Sequence, residues 1–289
     1  MVFNDEWPLT NAGFSNAPTG AQRFTENLVD QMDPHDGVKI LIWSSNYSSD
    51  WTSTFRARLV DEGATVTTSI DPSLSLSQLL QHDGVILADA LPSGGAPNNA
   101  RLIDYVNAGG NALVLGGCNN SDASYFNTFL NAFGLGFIGP TNWRRGTFAI
   151  PRTDPYFLGV GGLWQDNGND IIRVGSHPGV QLYSMVSSDR ALYAVSRLQL
   201  ADCDGDSVPD VVEMLRGAND ANSNGIPDTC DCPADLDRSG SIGAEDLAAV
   251  LFAWGTNGGK TPEADINGDG TVDAVDLSVV IAAWGGCPG

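Results

Sequence analysis

The C-terminal end of the chain is a tandem duplication with a period of 30 residues. Asp235-Leu-Asp237-Arg-Ser239-Gly240-Ser241-Ile242-Gly243-Ala-Glu-Asp246 aligns with Asp265-Ile-Asn267-Gly-Asp269-Gly270-Thr271-Val272-Asp273-Ala-Val-Asp276. Each copy runs into the same apolar stretch, Leu247 to Trp254-Gly255 and Leu277 to Trp284-Gly285. A loop-plus-helix unit that occurs twice in register predicts a small helical module whose halves pack on each other. The loop spacing is that of a calcium site, which needs oxygens at positions 1, 3, 5, 7, 9 and 12 of a twelve-residue turn and Gly at position 6. In the first copy these are Asp235, Asp237, Ser239, the Ser241 carbonyl, a water near Gly243, and Asp246. In the second they are Asp265, Asn267, Asp269, the Thr271 carbonyl, Asp273 or a water, and Asp276. Gly240 and Gly270 supply the turns, and the apolar residue at position 8, Ile242 or Val272, is expected to pair the loops back to back. The first copy has weaker ligands at positions 5 and 9, so lower affinity is expected there.

A different acidic repeat, with an 18-residue offset, precedes this pair. Asp202, Asp204, Asp206, Asp210 and Glu213 recur as Asp220, Asn222, Asn224, Asp228 and Asp231, with Pro209 and Pro227 stiffening each loop. The charge follows the repeats. The chain carries a net charge of −21, and residues 201–289 hold 17 Asp/Glu against 3 Lys/Arg, a net of −14. No basic surface of the size that nucleic acid requires can arise from this composition. Divalent cations are the natural partners of such an excess, because they relieve carboxylate repulsion. Four of the five cysteines, Cys203, Cys230, Cys232 and Cys287, bracket the repeats. Their placement suggests disulfides and an oxidising compartment. Cys203–Cys230 with Cys232–Cys287 would close one calcium unit each; two other pairings stay open, as does a zinc site, although the interleaved carboxylates favour a harder ion.

Residues 232–289 resemble a type I dockerin, on the Asp265-x-Asn267-x-Asp269-Gly270 pattern and on helices that end in Ala253-Trp254-Gly255 and Ala283-Trp284-Gly285. The resemblance implies paired EF-hand-type loops held by Ca2+ and a cohesin-like or cell-surface protein partner. At the recognition positions Ala244-Glu245 and Ala274-Val275 replace the Ser-Thr pair of the cellulosomal form. Trp254 and Trp284 are expected to pack between the two helices. Residues 201–231 are similar to thrombospondin type 3 repeats, which implies a calcium-rigidified linker. The disulfides and the calcium loops argue for an extracellular or cell-surface protein. Met-Val-Phe-Asn-Asp-Glu lacks the basic and apolar regions of a leader, so a removed leader or a misplaced gene start is inferred. No stretch reaches the roughly 18 apolar residues of a membrane span.

Residues 1–200 read as an α/β domain. Apolar runs at 38–43, 64–69, 84–89 and 112–116 alternate with helical spacing at 52–62, 76–81, 99–107 and 121–133. That alternation predicts a parallel sheet with helices on both faces, flavodoxin-like in pattern. Shorter strands over 147–198 would complete or cap it, and the first 36 residues would hold an irregular lead-in and one helix near Ala21 to Met32. Residues 38–138 resemble the class I glutamine amidotransferase-like group and its trehalose-utilisation-type relatives, through His82-Asp-Gly-Val-Ile-Leu and Tyr105-Val-Asn-Ala-Gly-Gly-Asn-Ala-Leu-Val-Leu-Gly-Gly. The resemblance places a nucleophile at Cys118 and its base at His177. Asn120 stands where that motif carries Gly, and Gly179 where it carries Glu, so the catalytic set is incomplete and a non-catalytic domain is expected. The loops at the carboxyl ends of the strands would form a crevice with Asn46, Tyr47, Trp51, Asp89 and Asn119, side chains suited to sugar hydroxyls. Asn4-Asp5-Glu6-Trp7 could fold over it.

The function that follows is a secreted protein whose calcium-dependent dockerin-like module attaches or displays an α/β domain, in a polysaccharide-degradation or cell-surface context. The alternatives are a hydrolase acting on glycans or amides through the strand-end crevice, and a non-enzymatic surface interaction protein.

Overall fold

In the computed structural model, residues 1–289 are described except 33–36, 45–46, 48–49, 89–94, 118–121, 199, 201–202, 204–208, 216, 219–225, 228–231, 238, 260 and 288–289. The chain divides into two compact units, Met1–Gln199 and Leu200–Gly289.

The first unit begins with β1 (Val2–Phe3), α1 (Asn11–Asn16) and α2 (Pro18–Met32). Strands and helices then alternate: β2 (Lys39–Trp43), α3 (Ser53–Asp61), β3 (Thr65–Ser69), α4 (Leu76–Leu79), β4 (Gly84–Ala88), α5 (Gly95–Asn107), β5 (Asn111–Leu115) and α6 (Asp122–Asn131). Six further strands follow: β6 (Leu135–Ile138), β7 (Gly146–Phe148), β8 (Leu163–Gln165), β9 (Asp170–Arg173), β10 (Val180–Met185) and β11 (Arg190–Ser196). The main sheet runs β3-β2-β4-β5-β1-β11-β9-β6, with β10 on β11, and β7 and β8 form a separate ribbon.

The central strands are buried on both faces, which is why they read as unbroken apolar runs. Ile40 and Ile42 of β2 point into one core with Phe24 and Leu28 of α2 and Phe55 and Leu59 of α3. Leu41 and Trp43 point into the other, with Leu79, Leu102, Tyr105, Phe126 and Leu130 from α4, α5 and α6. Helices therefore cover both faces, as the alternation predicts.

Two features differ from the expectation. The lead-in is not irregular: β1 sits inside the sheet, parallel to β5 and antiparallel to β11. The sheet is also mixed, since β11–β9, β9–β6 and β10–β11 are antiparallel. A strand of two residues has no periodicity to detect, and its place is set by partners more than 100 positions away.

The second unit contains α7 (Asp210–Leu215), β12 (Ser241–Ile242), α8 (Ala244–Ala253), α9 (Ala274–Ala282) and β13 (Gly285–Gly286). Its core is assembled from repeat-matched residues: Ala234 with Ala264, Ile242 with Val272, and Val250 with Val280, all buried. Neither half has enough apolar surface to fold alone, so the duplication is its own partner.

Ile242 and Val272 lie in one core, while their backbones are bonded by an exchange. Ile242 pairs with Gly285, beyond the second helix, through the β12–β13 bridge. Val272 accepts from Gly255 N at 2.9 Å and donates to Thr256 O at 2.7 Å, beyond the first helix. Each loop is thus clamped by the Trp-Gly end of the other repeat. Gly255 and Gly285 have φ of +73° and +131°, conformations that favour glycine, which explains why both copies end in Ala-Trp-Gly. The expected all-helical module accordingly carries a short ladder. A disulfide joins Cys232 to Cys287 across a separation of 55 residues.

Candidate functional site

The two acidic loops of the repeat share one hydrogen-bond plan. At position 12, Asp246 Oδ1 accepts from Leu236 N and Asp237 N at 2.7 and 3.2 Å, and its Oδ2 accepts from Gly243 N at 2.7 Å. Asp276 repeats this with Ile266 N, Asn267 N and Asp273 N at 2.8, 3.2 and 2.8 Å. At position 1, Asp235 Oδ2 accepts from Gly240 N and Asp265 Oδ2 from Gly270 N, both at 2.8 Å. Gly240 and Gly270, at φ +83° and +87°, make the turns that bring the loop ends together. The Asx-type bond at position 3 recurs as well: Asp237 Oδ1 accepts from Ser239 N at 3.0 Å and Asn267 Oδ1 from Asp269 N at 3.0 Å, and in the second loop Asp269 Oδ1 also accepts from Thr271 N at 2.9 Å.

This plan concentrates negative charge. In the first loop one ligand oxygen from each of Asp235, Asp237 and Asp246 lies within 4.8 Å of the others. Asp246 and Asp276 are buried. In the second loop Asp265 Oδ1 is buried with no hydrogen-bond partner. Carboxylates that converge on the buried Asp246, and a buried carboxylate oxygen left unsatisfied, are costly unless a cation joins them. The donors are all oxygens, which suits a hard divalent ion. Ser239 Oγ donates to the Ser241 carbonyl at 3.0 Å, so that carbonyl shares its lone pairs within the loop. The two Cys sulfurs beside Asp235, Cys232 and Cys287, are joined to each other, which leaves no thiolate for the zinc alternative at that point.

In the upstream repeat, Asp210 and Glu213 approach Cys203, and Asp210 Oδ1 accepts from Cys203 N at 2.8 Å. Cys203 is disulfide-bonded. Asp202, Asp204, Asp206, Asp220, Asn222, Asn224, Asp228, Cys230 and Asp231 lie outside the described residues.

Trp254 and Trp284 do not pack between the helices. They are 45% and 53% exposed, and Leu251, Phe252, Val275 and Ile281 are exposed with them. The contact between α8 and α9 is filled by smaller residues such as Val250, Ala253 and Val280, leaving the indoles no room inside.

In the first unit, Asn46, Asp89, Cys118 and Asn119 of the expected crevice lie outside the described residues, as does the side chain of Trp51. Tyr47 is not a ligand-facing residue. It is fully buried, its hydroxyl donates to Leu9 O at 3.0 Å, and its carbonyl accepts from Thr52 Oγ1 at 2.6 Å. His177 packs against the Gly134 turn before β6, and its carbonyl accepts from Arg173 Nη1 at 2.9 Å.

A different group of residues occupies the strand ends. Asp5 and Glu6 follow β1 after Asn4 and are buried. Asp5 Oδ2 accepts from Asp166 N and Asn167 N at 2.8 and 3.2 Å, and Oδ1 from Trp7 N at 3.3 Å. Burial still raises its carboxyl to about 6, because these bonds and the adjoining Glu6 only partly offset the loss of water. Gly117, just past β5, lies over the pair: a Cβ there would stand 2.7 Å from an oxygen of each carboxyl group. Gln165 and Tyr193, also buried, adjoin each other without a hydrogen bond of normal geometry. Burial pushes the Tyr193 phenol far above its ordinary range. The motif Asn4-Asp5-Glu6-Trp7 is visible in the sequence, but Gln165 and Tyr193 come from β8 and β11 and carry no local signal.

Among the described residues no helix is long and apolar enough to cross a membrane. Comparison of the chain with curated proteins and with solved structures gives no match. A family model described as the dockerin type I domain matches residues 233–283, the stretch that carries both loops and both helices of the 30-residue repeat.

Proposed function

We propose that the second unit is a calcium-dependent attachment module that holds the chain on a cohesin-type partner outside the cell, with the α/β unit as its cargo. The observation that carries this reading is the convergence of Asp235, Asp237 and Asp246, matched in the repeat by a buried Asp265 oxygen that has no partner. Calcium would be held by Asp235, Asp237, Ser239, the Ser241 carbonyl and Asp246 in one loop. The other would use Asp265, Asn267, Asp269, the Thr271 carbonyl, Asp273 and Asp276. The match to the dockerin type I domain over residues 233–283 supports the partner class. Residues 201–231 would be a thrombospondin type 3-like calcium linker between an amidotransferase-like, flavodoxin-type domain at 1–200 and the module at 232–289. Dockerin-bearing chains imply a polysaccharide-degradation or cell-surface setting.

The test is calcium titration of the full chain by calorimetry, followed by capture on a panel of cohesin domains with calcium and with EGTA. Ion uptake that falls by about one site in Asp265→Ala, together with capture abolished by EGTA, is the expected result. An absence of heat on titration would end the proposal. A second reading, hydrolysis of glycans or amides at the strand ends, is favoured by the neighbouring carboxyl groups of Asp5 and Glu6, which lie together against Gly117 just past β5. Turnover by the wild type that is lost in Asp5→Asn would support it.

A further inference from the structure

The first unit exposes an aromatic side chain that its backbone is bent to present. Trp143 is 82% exposed and has φ of +55°, in the left-handed region that a bulky residue rarely adopts. Such a conformation persists only where the surroundings impose it. Here they do. Trp143 N donates to Asn167 Oδ1 at 2.9 Å, and Arg144 N to Asn142 Oδ1 at 3.1 Å. Asn142 is itself tied down, its N bonded to Gly168 O at 2.6 Å and its Nδ2 to Asp170 Oδ1 at 2.8 Å. A loop held by these four hydrogen bonds, three of them to the 167–170 segment, therefore pushes an indole into water, where it gains no burial.

The charges beside it are unusual for this chain. Arg144 and Arg145 are the only adjacent basic residues in a sequence of net charge −21. Arg145 pairs with Asp166, Nε to Oδ1 at 2.9 Å, and lies over the Trp164 ring at 5.9 Å. Arg144 is exposed and makes no ion pair among the described residues. A flat apolar face, one unengaged guanidinium fork and neighbouring amides match a ring with an apolar C–H face, hydroxyls and one carboxylate. A nucleic acid would need cations in a row to follow its phosphates, and Asp166 and Asp170 flank this pair instead.

We propose that Trp143, Arg144 and the Arg145–Asp166 pair form a binding site for an acidic saccharide, with a uronate ring stacked on the indole and its carboxylate on the Arg144 guanidinium. The site belongs to the first unit and does not rest on the calcium reading.

The test uses the full chain, titrated with a galacturonate oligomer, a neutral glucose oligomer, a single-stranded oligonucleotide and an acidic peptide. Binding is read by calorimetry and tryptophan fluorescence, with calcium and with EGTA. The expected result is preference for the galacturonate oligomer, equal with and without EGTA. Trp143→Ala should weaken it by roughly thirtyfold. Arg144→Gln should weaken it by roughly tenfold and leave the neutral oligomer unchanged. Trp143→Gly relieves the left-handed strain, so it should weaken binding as much as Trp143→Ala without lowering the melting temperature, a combination that a structural role does not produce. Equal binding of acidic and neutral oligomers, wild-type affinity in Trp143→Ala, loss of binding in EGTA, or tighter Trp143-dependent binding of the oligonucleotide or the peptide would each overturn the assignment.

Discussion

Asp5 shows how little a residue type says about its charge state. Its ordinary value is 3.8, and burial raises this to about 6 in the fold. Between about pH 4 and about pH 6 the native state keeps a proton that the unfolded chain has released. Stability contributed by this group therefore falls as pH rises through that window and levels off above it. A shift of about two units corresponds to roughly 3 kcal/mol. Asp5→Asn removes the linkage, so the stability of the variant relative to wild type should grow by about that amount between about pH 4 and about pH 7, as read by urea unfolding. Gly117 is constrained from the same side. Its φ is +92°, and a Cβ would meet both carboxyl groups at 2.7 Å. Gly117→Ala should cost about 2 kcal/mol or more, and a wild-type denaturation midpoint would show that the pair can move aside.

At the scale of elements, hydrophobic period and turn residues were enough to place β2 to β5 and the helices between them, because those strands are buried on both faces and read as apolar runs. The same reasoning missed β1, where two residues are held only by β5 and β11. It also left the backbone partners of Ile242 and Val272 unassigned. A repeat shows that two segments are equivalent but not which atoms exchange, and here each loop closes on the far end of the other copy. Val272 is fully buried in that clamp. Val272→Ala should destabilise the second unit by about 2 kcal/mol while the melting of the first unit stays put. Trp254 and Trp284 fall outside local reasoning for a related reason: an aromatic at a helix end packs inward only if the facing helix leaves it space, and Val250, Ala253 and Val280 fill that space first.

For the whole molecule, two units with separate cores predict two calorimetric transitions. EGTA should lower one of them by on the order of 10 °C and leave the other unchanged. A single transition that moves as a whole would show that the units fold together. The sequence by itself determined the acidic repeat, its glycine turns, the order of its side-chain oxygens and the alternation of strands and helices in the first unit. These are properties of neighbours along the chain, where spacing and backbone freedom decide the outcome. Only the tertiary structure decided that β1 enters the sheet, that Asp5, Glu6, Gln165 and Tyr193 gather near its end, that the loops trade clamps, and that Trp143 is pressed outward. Each of those depends on contacts between residues far apart in sequence, where burial and steric fit are set by partners that no local pattern names.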